Sequence, residues 1–143
     1  MFYSPLVKKA CLIAFRAHKQ DVDKGGYPYI MHPYYLAFRM QEEDAVCVAL
    51  LHDVIEDHGD EYSFAYLEKE GFTQEIINAL KLLTHDPAVP YMEYVKAIGT
   101  NALARKVKIE DLKHNLDPSR LEGKRTQKSA LYEEALSYLL SLA

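Results

Sequence analysis

Residues 45–57 read Ala45-Val46-Cys47-Val48-Ala49-Leu50-Leu51-His52-Asp53-Val54-Ile55-Glu56-Asp57. The first seven are apolar on every side of a helix, a pattern that suits a helix enclosed by others. This predicts the buried central helix of an all-α fold, beginning near 44 and running to about 57. Four ionisable residues then interrupt it. At about 100° per residue His52, Asp53, Glu56 and Asp57 spread over an arc of about 140°, with His52 above Glu56 and Asp53 above Asp57. A carboxylate buried without partners is very costly, so this face needs a cation, a polar cleft or solvent. The plain alternative is that 52–57 form the solvated end of the helix.

Around this stretch, glycines and most prolines fall between periodic segments and act as punctuation. Helices are expected at 4–18, where Ser4-Pro5 supplies a cap and a first-turn proline, and at 30–41, 63–70 and 73–84, the last capped by Thr73 with Glu75 in its first turn. Further helices are expected at 90–98, 101–116 and 127–142. Residues 19–28, with Gly25-Gly26, read as a loop. No alternation of apolar and polar residues is long enough for a strand, and there is no repeat or linker. A single all-helical domain over 1–143 is the natural reading.

The chain has 143 residues, with 17 Lys+Arg against 21 Asp+Glu. A net charge of −4 disfavours a general binder of nucleic acid or anionic membrane, which would draw its affinity from clustered basic residues. The acidity is local. Residues 52–61 hold five carboxylates and no Lys or Arg, which leaves 17 basic residues against the other 16 acidic ones. Residues 105–128 carry eight Lys+Arg against four Asp+Glu, so a basic stretch is set against an acidic one. No apolar run approaches the roughly 20 residues that span a bilayer, and the N-terminus lacks the pattern of a secretory signal, so a cytoplasmic protein is expected. Cys11 and Cys47 lie in apolar stretches and read as reduced, buried thiols.

Two other places join the His52-Asp53 pair. His32-Pro33 follows the loop Lys24-Gly25-Gly26-Tyr27-Pro28-Tyr29-Ile30, and Asp111 lies in Val107-Lys108-Ile109-Glu110-Asp111-Leu112-Lys113-His114-Asn115, one turn from Val107 and thus facing inward. These blocks resemble the motif set of the HD superfamily of metal-dependent phosphohydrolases. In order and spacing they are most similar to the RelA/SpoT-type alarmone hydrolase domain, over residues 10–121. A His-Asp dipeptide alone is a weak signal; the three blocks together are a strong one.

The resemblance implies a helical HD-domain bundle with one divalent metal ion held by His32, His52, Asp53 and Asp111. It points to Mn²⁺, and Fe²⁺ or Zn²⁺ also suit such a mixed nitrogen and oxygen set. Two neutral imidazoles and two carboxylates carry −2, which a divalent ion balances. Glu56 and Asp57 correspond to an acidic pair that would orient the attacking water and move its proton. Lys24 resembles a position that meets substrate phosphate, though a surface lysine in a turn is equally plain, and Asn115 matches an Asn near bound nucleotide but could cap its helix. Arg120 could reach a phosphate. His18, His58, His85 and His114 read as ordinary surface or hydrogen-bonded histidines, with no second histidine cluster for a two-metal site.

One departure bears on substrate. The family helix often has apolar-Ala-Asp-Arg where this chain has Ile109-Glu110-Asp111-Leu112. The implied activity is hydrolysis of a guanosine 3′-diphosphate alarmone such as ppGpp to GDP and pyrophosphate. Two alternatives stay open: an HD-type phosphatase acting on another small phosphorylated nucleotide (a nucleoside monophosphate or NADPH), and a regulatory module that binds nucleotide without hydrolysing it. Oligomeric state is not readable from the sequence.

Overall fold

A computed structural model describes residues 1–121, 123 and 125–143. Helices α1 (Pro5–His18), α2 (Met31–Phe38), α3 (Glu43–Leu51), α4 (Val54–His58), α5 (Phe64–Lys69), α6 (Gln74–Leu83), α7 (Tyr91–Gly99), α8 (Ala102–Asn115) and α9 (Ser129–Ser141) follow in order, with a 3₁₀ turn at Pro118–Leu121. Among the described residues the extended pairing is confined to an isolated bridge between Val22 and Pro28. Glu122 and Lys124, which contribute to the basic stretch of 105–128, lie outside the described residues.

Helix α3 is the axis of the bundle. Its residues Ala45 to Leu51 are all at most 1% exposed, with α1, α2, α6 and α8 packed around the helix. Each Val or Leu enclosed in this way contributes about 1.5–3 kcal/mol of hydrophobic stabilisation. The surrounding helices start where their caps lie: Ser4 accepts the Val7 N–H at 3.1 Å, and Asn101 accepts the Ala104 N–H at 2.9 Å, each satisfying an otherwise unpaired donor. Cys47 is buried as expected, but Cys11 is only half-buried, because α1 turns that edge towards the surface.

The structure corrects one expectation at the decisive place. The central helix does not continue to 57; it ends at Leu51, and His52-Asp53 form a turn before α4 resumes at Val54. The cause is local. His52 Nδ1 bonds back to the Ala49 carbonyl oxygen at 2.7 Å, a side-chain contact that competes with the helix backbone, and Asp53 sits at φ −109°, ψ 1° in the bridge region. The break presents His52 and Asp53 at the end of the most enclosed helix in the fold.

Candidate metal centre and active site

Three elements bring the candidate ligands together. His32 comes from the first turn of α2, His52 and Asp53 from the turn after α3, and Asp111 from the last third of α8. His32, His52 and Asp53 each place a ligand atom within 4.8 Å of the others. Asp111 Oδ1 lies 2.8 Å from His32 Nε2 and 3.5 Å from His52 Nε2, and Asp53 Oδ2 lies 3.1 Å from His52 Nε2. His32, His52 and Asp111 are buried.

The tautomers suit a cation. With Nδ1–H of His52 donating to the Ala49 carbonyl, its Nε2 keeps a lone pair; that atom is buried, has no hydrogen-bonding partner, and looks onto two carboxylates. An imidazole lone pair enclosed among carboxylate oxygens lacks a positive centre, so the residues fit a divalent ion. Without one, a proton takes its place: burial disfavours a charged His52, but Asp53 and Asp111 outweigh burial and hold its pKa well above the usual histidine range. Burial likewise opposes ionisation of Asp53 and Asp111, yet His52 keeps the first below the ordinary carboxylate range, and Lys108 with the two histidines keeps the second well below it.

Residues that sequence reasoning passed over support this centre. Lys108 Nζ donates to Asp111 Oδ2 at 2.9 Å, enclosed with its ammonium 5.3 Å from the Tyr94 ring centre. Its place three residues before Asp111 on α8 was the available signal. Tyr29 donates its hydroxyl proton to Asp53 Oδ2. His114 faces His32, Nδ1 to Nδ1, at 2.7 Å and stacks on Tyr35 with ring centres 3.9 Å apart. Burial and nearby Arg120 push its pKa down to about 4, so it is neutral and accepts the His32 Nδ1 proton, turning the His32 Nε2 lone pair towards the centre. His114→Phe keeps the stacking and removes this acceptor. It is expected to weaken metal binding by about 10–100-fold with the fold intact, as measured by competition against a coloured chelator.

The acidic pair lies beside the candidate ligands, in a cleft of about 550 Å³ shared by His52, Asp53, Glu56, Asp57, Lys24 and Asn115. Glu56 Oε1 accepts the His85 backbone N–H at 2.6 Å, which fixes its position. Burial, then Asp53 and Glu56, raise the Asp57 pKa to about 6. Lys24 also lines an adjoining hollow of about 240 Å³ with Asn115, Arg120 and Tyr132. Its loop is well built: Asp23 Oδ1 accepts the N–H groups of Gly25 and Tyr27, both at 2.9 Å, and Gly25 lies so close to the Arg120 carbonyl oxygen that a side chain there would collide with it. Asn115 turns inward, its amide donating to Asp111 Oδ1 at 3.0 Å, and Arg120 reaches Asn115 and Asp23.

The sequence reading is corrected on the other histidines. His18 and His58, treated as unrelated, converge on Asp21 and form a second cluster. His18 is buried at the end of α1 and hydrogen-bonded to Asp21, which is the second of the two expected roles.

No family model matches the chain. Among solved structures, that of a metazoan ortholog of SpoT, a protein that hydrolyzes ppGpp and plays a role in starvation responses, aligns with a TM-score of 0.74 at 22% identity, covering 99% of this chain and 87% of that one. The chain shares the all-helical fold of that protein. Within this fold the turn at His52-Asp53 and the helix that carries Asp111 both line the cleft. Among the described residues no helix is long and apolar enough to cross a membrane.

Proposed function

We propose that this chain is a divalent-metal-dependent phosphohydrolase acting on a small phosphorylated nucleotide, in the first instance ppGpp, which it cleaves to GDP and pyrophosphate in the cytoplasm. The observation that carries the reading is the meeting of His32, His52, Asp53 and Asp111 around the partnerless Nε2 of His52, with Glu56, Asp57 and Lys24 lining the same cleft. The first four residues would hold the ion; Mn²⁺ is the first choice, and the nitrogen and oxygen donors also suit Fe²⁺ or Zn²⁺. When bound, a divalent ion supplies Lewis-acid polarisation of a phosphoryl oxygen and makes a nucleophile available near neutral pH.

The chain's own residues do the rest. Asp57, with its raised pKa, takes the proton of the water that attacks the 3′-linked phosphorus; the bond from that phosphorus to the ribose oxygen breaks, and the proton passes from Asp57 to that oxygen, which leaves as the 3′-hydroxyl of GDP. Glu56, fixed by the His85 N–H, orients the water. Lys24 neutralises phosphate charge at the mouth, and Asn115 and Arg120 line the hollow where the nucleoside would rest.

A second substrate reading has an observation in its favour. Leu112, at the place where the resemblance leads one to expect arginine, is fully buried, and Glu110 is paired with Arg39 at 2.7 Å. Helix α8 therefore offers no arginine beside Asp111, so another nucleotide, such as a nucleoside monophosphate or NADPH, is the alternative substrate. Product analysis after incubation with Mn²⁺ and ppGpp decides between them. GDP and pyrophosphate in equal amounts are expected. Phosphate release from simple nucleotides with ppGpp untouched supports the second reading. Stoichiometric nucleotide binding with no turnover under any divalent metal makes the chain a regulatory module.

A further inference from the structure

His18 at the end of α1, Asp21 in the loop that follows and His58 at the end of α4 close on one another across the fold. His18 Nδ1 lies 2.9 Å and His58 Nε2 2.6 Å from the same oxygen, Asp21 Oδ2, and the three residues place their ligand atoms within 4.8 Å of one another. None belongs to the ligand set proposed above. The side chains of Asp21 and His58 are 31% and 21% exposed and open on a cleft of about 530 Å³ that Tyr29, Glu56 and Asp57 also line, so an ion has a way in.

We propose that His18, Asp21 and His58 form a second cation site, for a divalent transition metal that favours imidazole, with its remaining position turned to the cleft beside Asp57. Two imidazoles and one carboxylate are a donor set that Zn²⁺ and Co²⁺ accept. The surroundings are negative: Asp57 and Glu61 act on His58, and Asp53 acts on His18. With His18 Nδ1 facing the ion, the ring proton sits on Nε2, a buried atom with no hydrogen-bonding partner; the Tyr29 ring lies 4.8 Å away, centre to centre. Donors about 2.0–2.1 Å from a tetrahedral ion lie about 3.3 Å apart. The His18 to Asp21 pair is close to that spacing, and the His58 side chain, on the last residue of a five-residue helix, needs only a small swing outward.

The site joins two parts of the active-site rim. Asp21 begins the loop that carries Lys24, and His58 directly follows the acidic pair. An ion at this point fixes the phosphate-binding loop against the helix that handles the proton.

Cobalt titration of metal-free protein, followed by visible absorption, tests the site. Wild type is expected to take up two Co²⁺. His58→Gln keeps a hydrogen-bond donor for Asp21 but offers no imidazole nitrogen, and Asp21→Asn keeps the shape without the charge. Each is expected to retain one equivalent and to bind the other about 100-fold or more weakly. Asp53→Asn is expected to spare the second site and weaken the first. Wild-type titrations in both His58→Gln and Asp21→Asn, with unchanged melting, would overturn the proposal and leave a hydrogen-bonded triad only. Should either variant fail to fold, uptake of a single equivalent by the wild type overturns it equally.

Discussion

Asp111→Ala is expected to destabilise the protein by about 3–5 kcal/mol, and to remove metal-dependent turnover with it. The reason lies in its partner. Lys108 is enclosed between α8 and the rings of Tyr91 and Tyr94, and its ammonium is held charged there against burial by the Asp111 carboxylate 2.9 Å away. Truncating Asp111 leaves that charge buried and unpaired, a loss that takes a large share of the 5–15 kcal/mol that domains typically possess. Urea unfolding measures it. The double variant Lys108→Met, Asp111→Leu removes both charges and is expected to regain most of the stability while staying inactive, which separates the two roles of Asp111. A single Asp111→Ala variant as stable as wild type would show that the ion pair contributes nothing to the fold.

Asp57→Asn is expected to act in opposite directions on rate and stability. As the proposed proton acceptor, Asp57 is worth about 10²–10⁴ in kcat, so the variant should be nearly inactive. Its carboxyl titrates near 6 in the folded protein, above the ordinary aspartate value of 3.8, chiefly because burial and then Asp53 and Glu56 oppose its charge. The folded state thus holds this proton more tightly than the unfolded chain. Its stabilising effect is present below about pH 4, fades between pH 4 and 6, and is gone at pH 7. Metal-free Asp57→Asn should therefore be more stable than wild type at pH 7, by about 1 kcal/mol once screening by the solvent that reaches this partly enclosed side chain through the cleft is allowed for, and equal to it near pH 4. Urea unfolding at the two pH values checks the sign. A variant less stable at pH 7 than at pH 4, relative to wild type, contradicts it.

The periodic parts of the chain were the readable parts. The apolar run Ala45 to Leu51 identified the central helix because nothing but full enclosure satisfies it, and Ser4 and Thr73 marked helix starts because each cap answers a definite unpaired donor. The four candidate ligands were named through resemblance, since the three blocks that carry residues 32, 52, 53 and 111 are far apart in sequence and their meeting is decided by packing. The turn at His52-Asp53 was not legible. It depends on a side-chain bond back to Ala49, which apolar periodicity does not register. For the same reason the Asp21 cluster escaped notice: His18 and His58 look like isolated histidines until α1 and α4 pack together. Lys108 and His114 sit among other basic residues, and only the inward side of α8 sets them apart from solvated ones.

The break between α3 and α4 also divides the site in time. Amides at the end of α3, buried on every side, are expected to exchange with solvent only on global unfolding, and those of α4, five residues long with an exposed outer side, on local opening at smaller free energy. The proposed ligands His52 and Asp53 adjoin the side expected to be slow, while Glu56 and Asp57 lie on the side expected to be fast. On the proposed function, the cation would be held by the part of the protein that moves last, and the proton would be handled by a part that can open on its own.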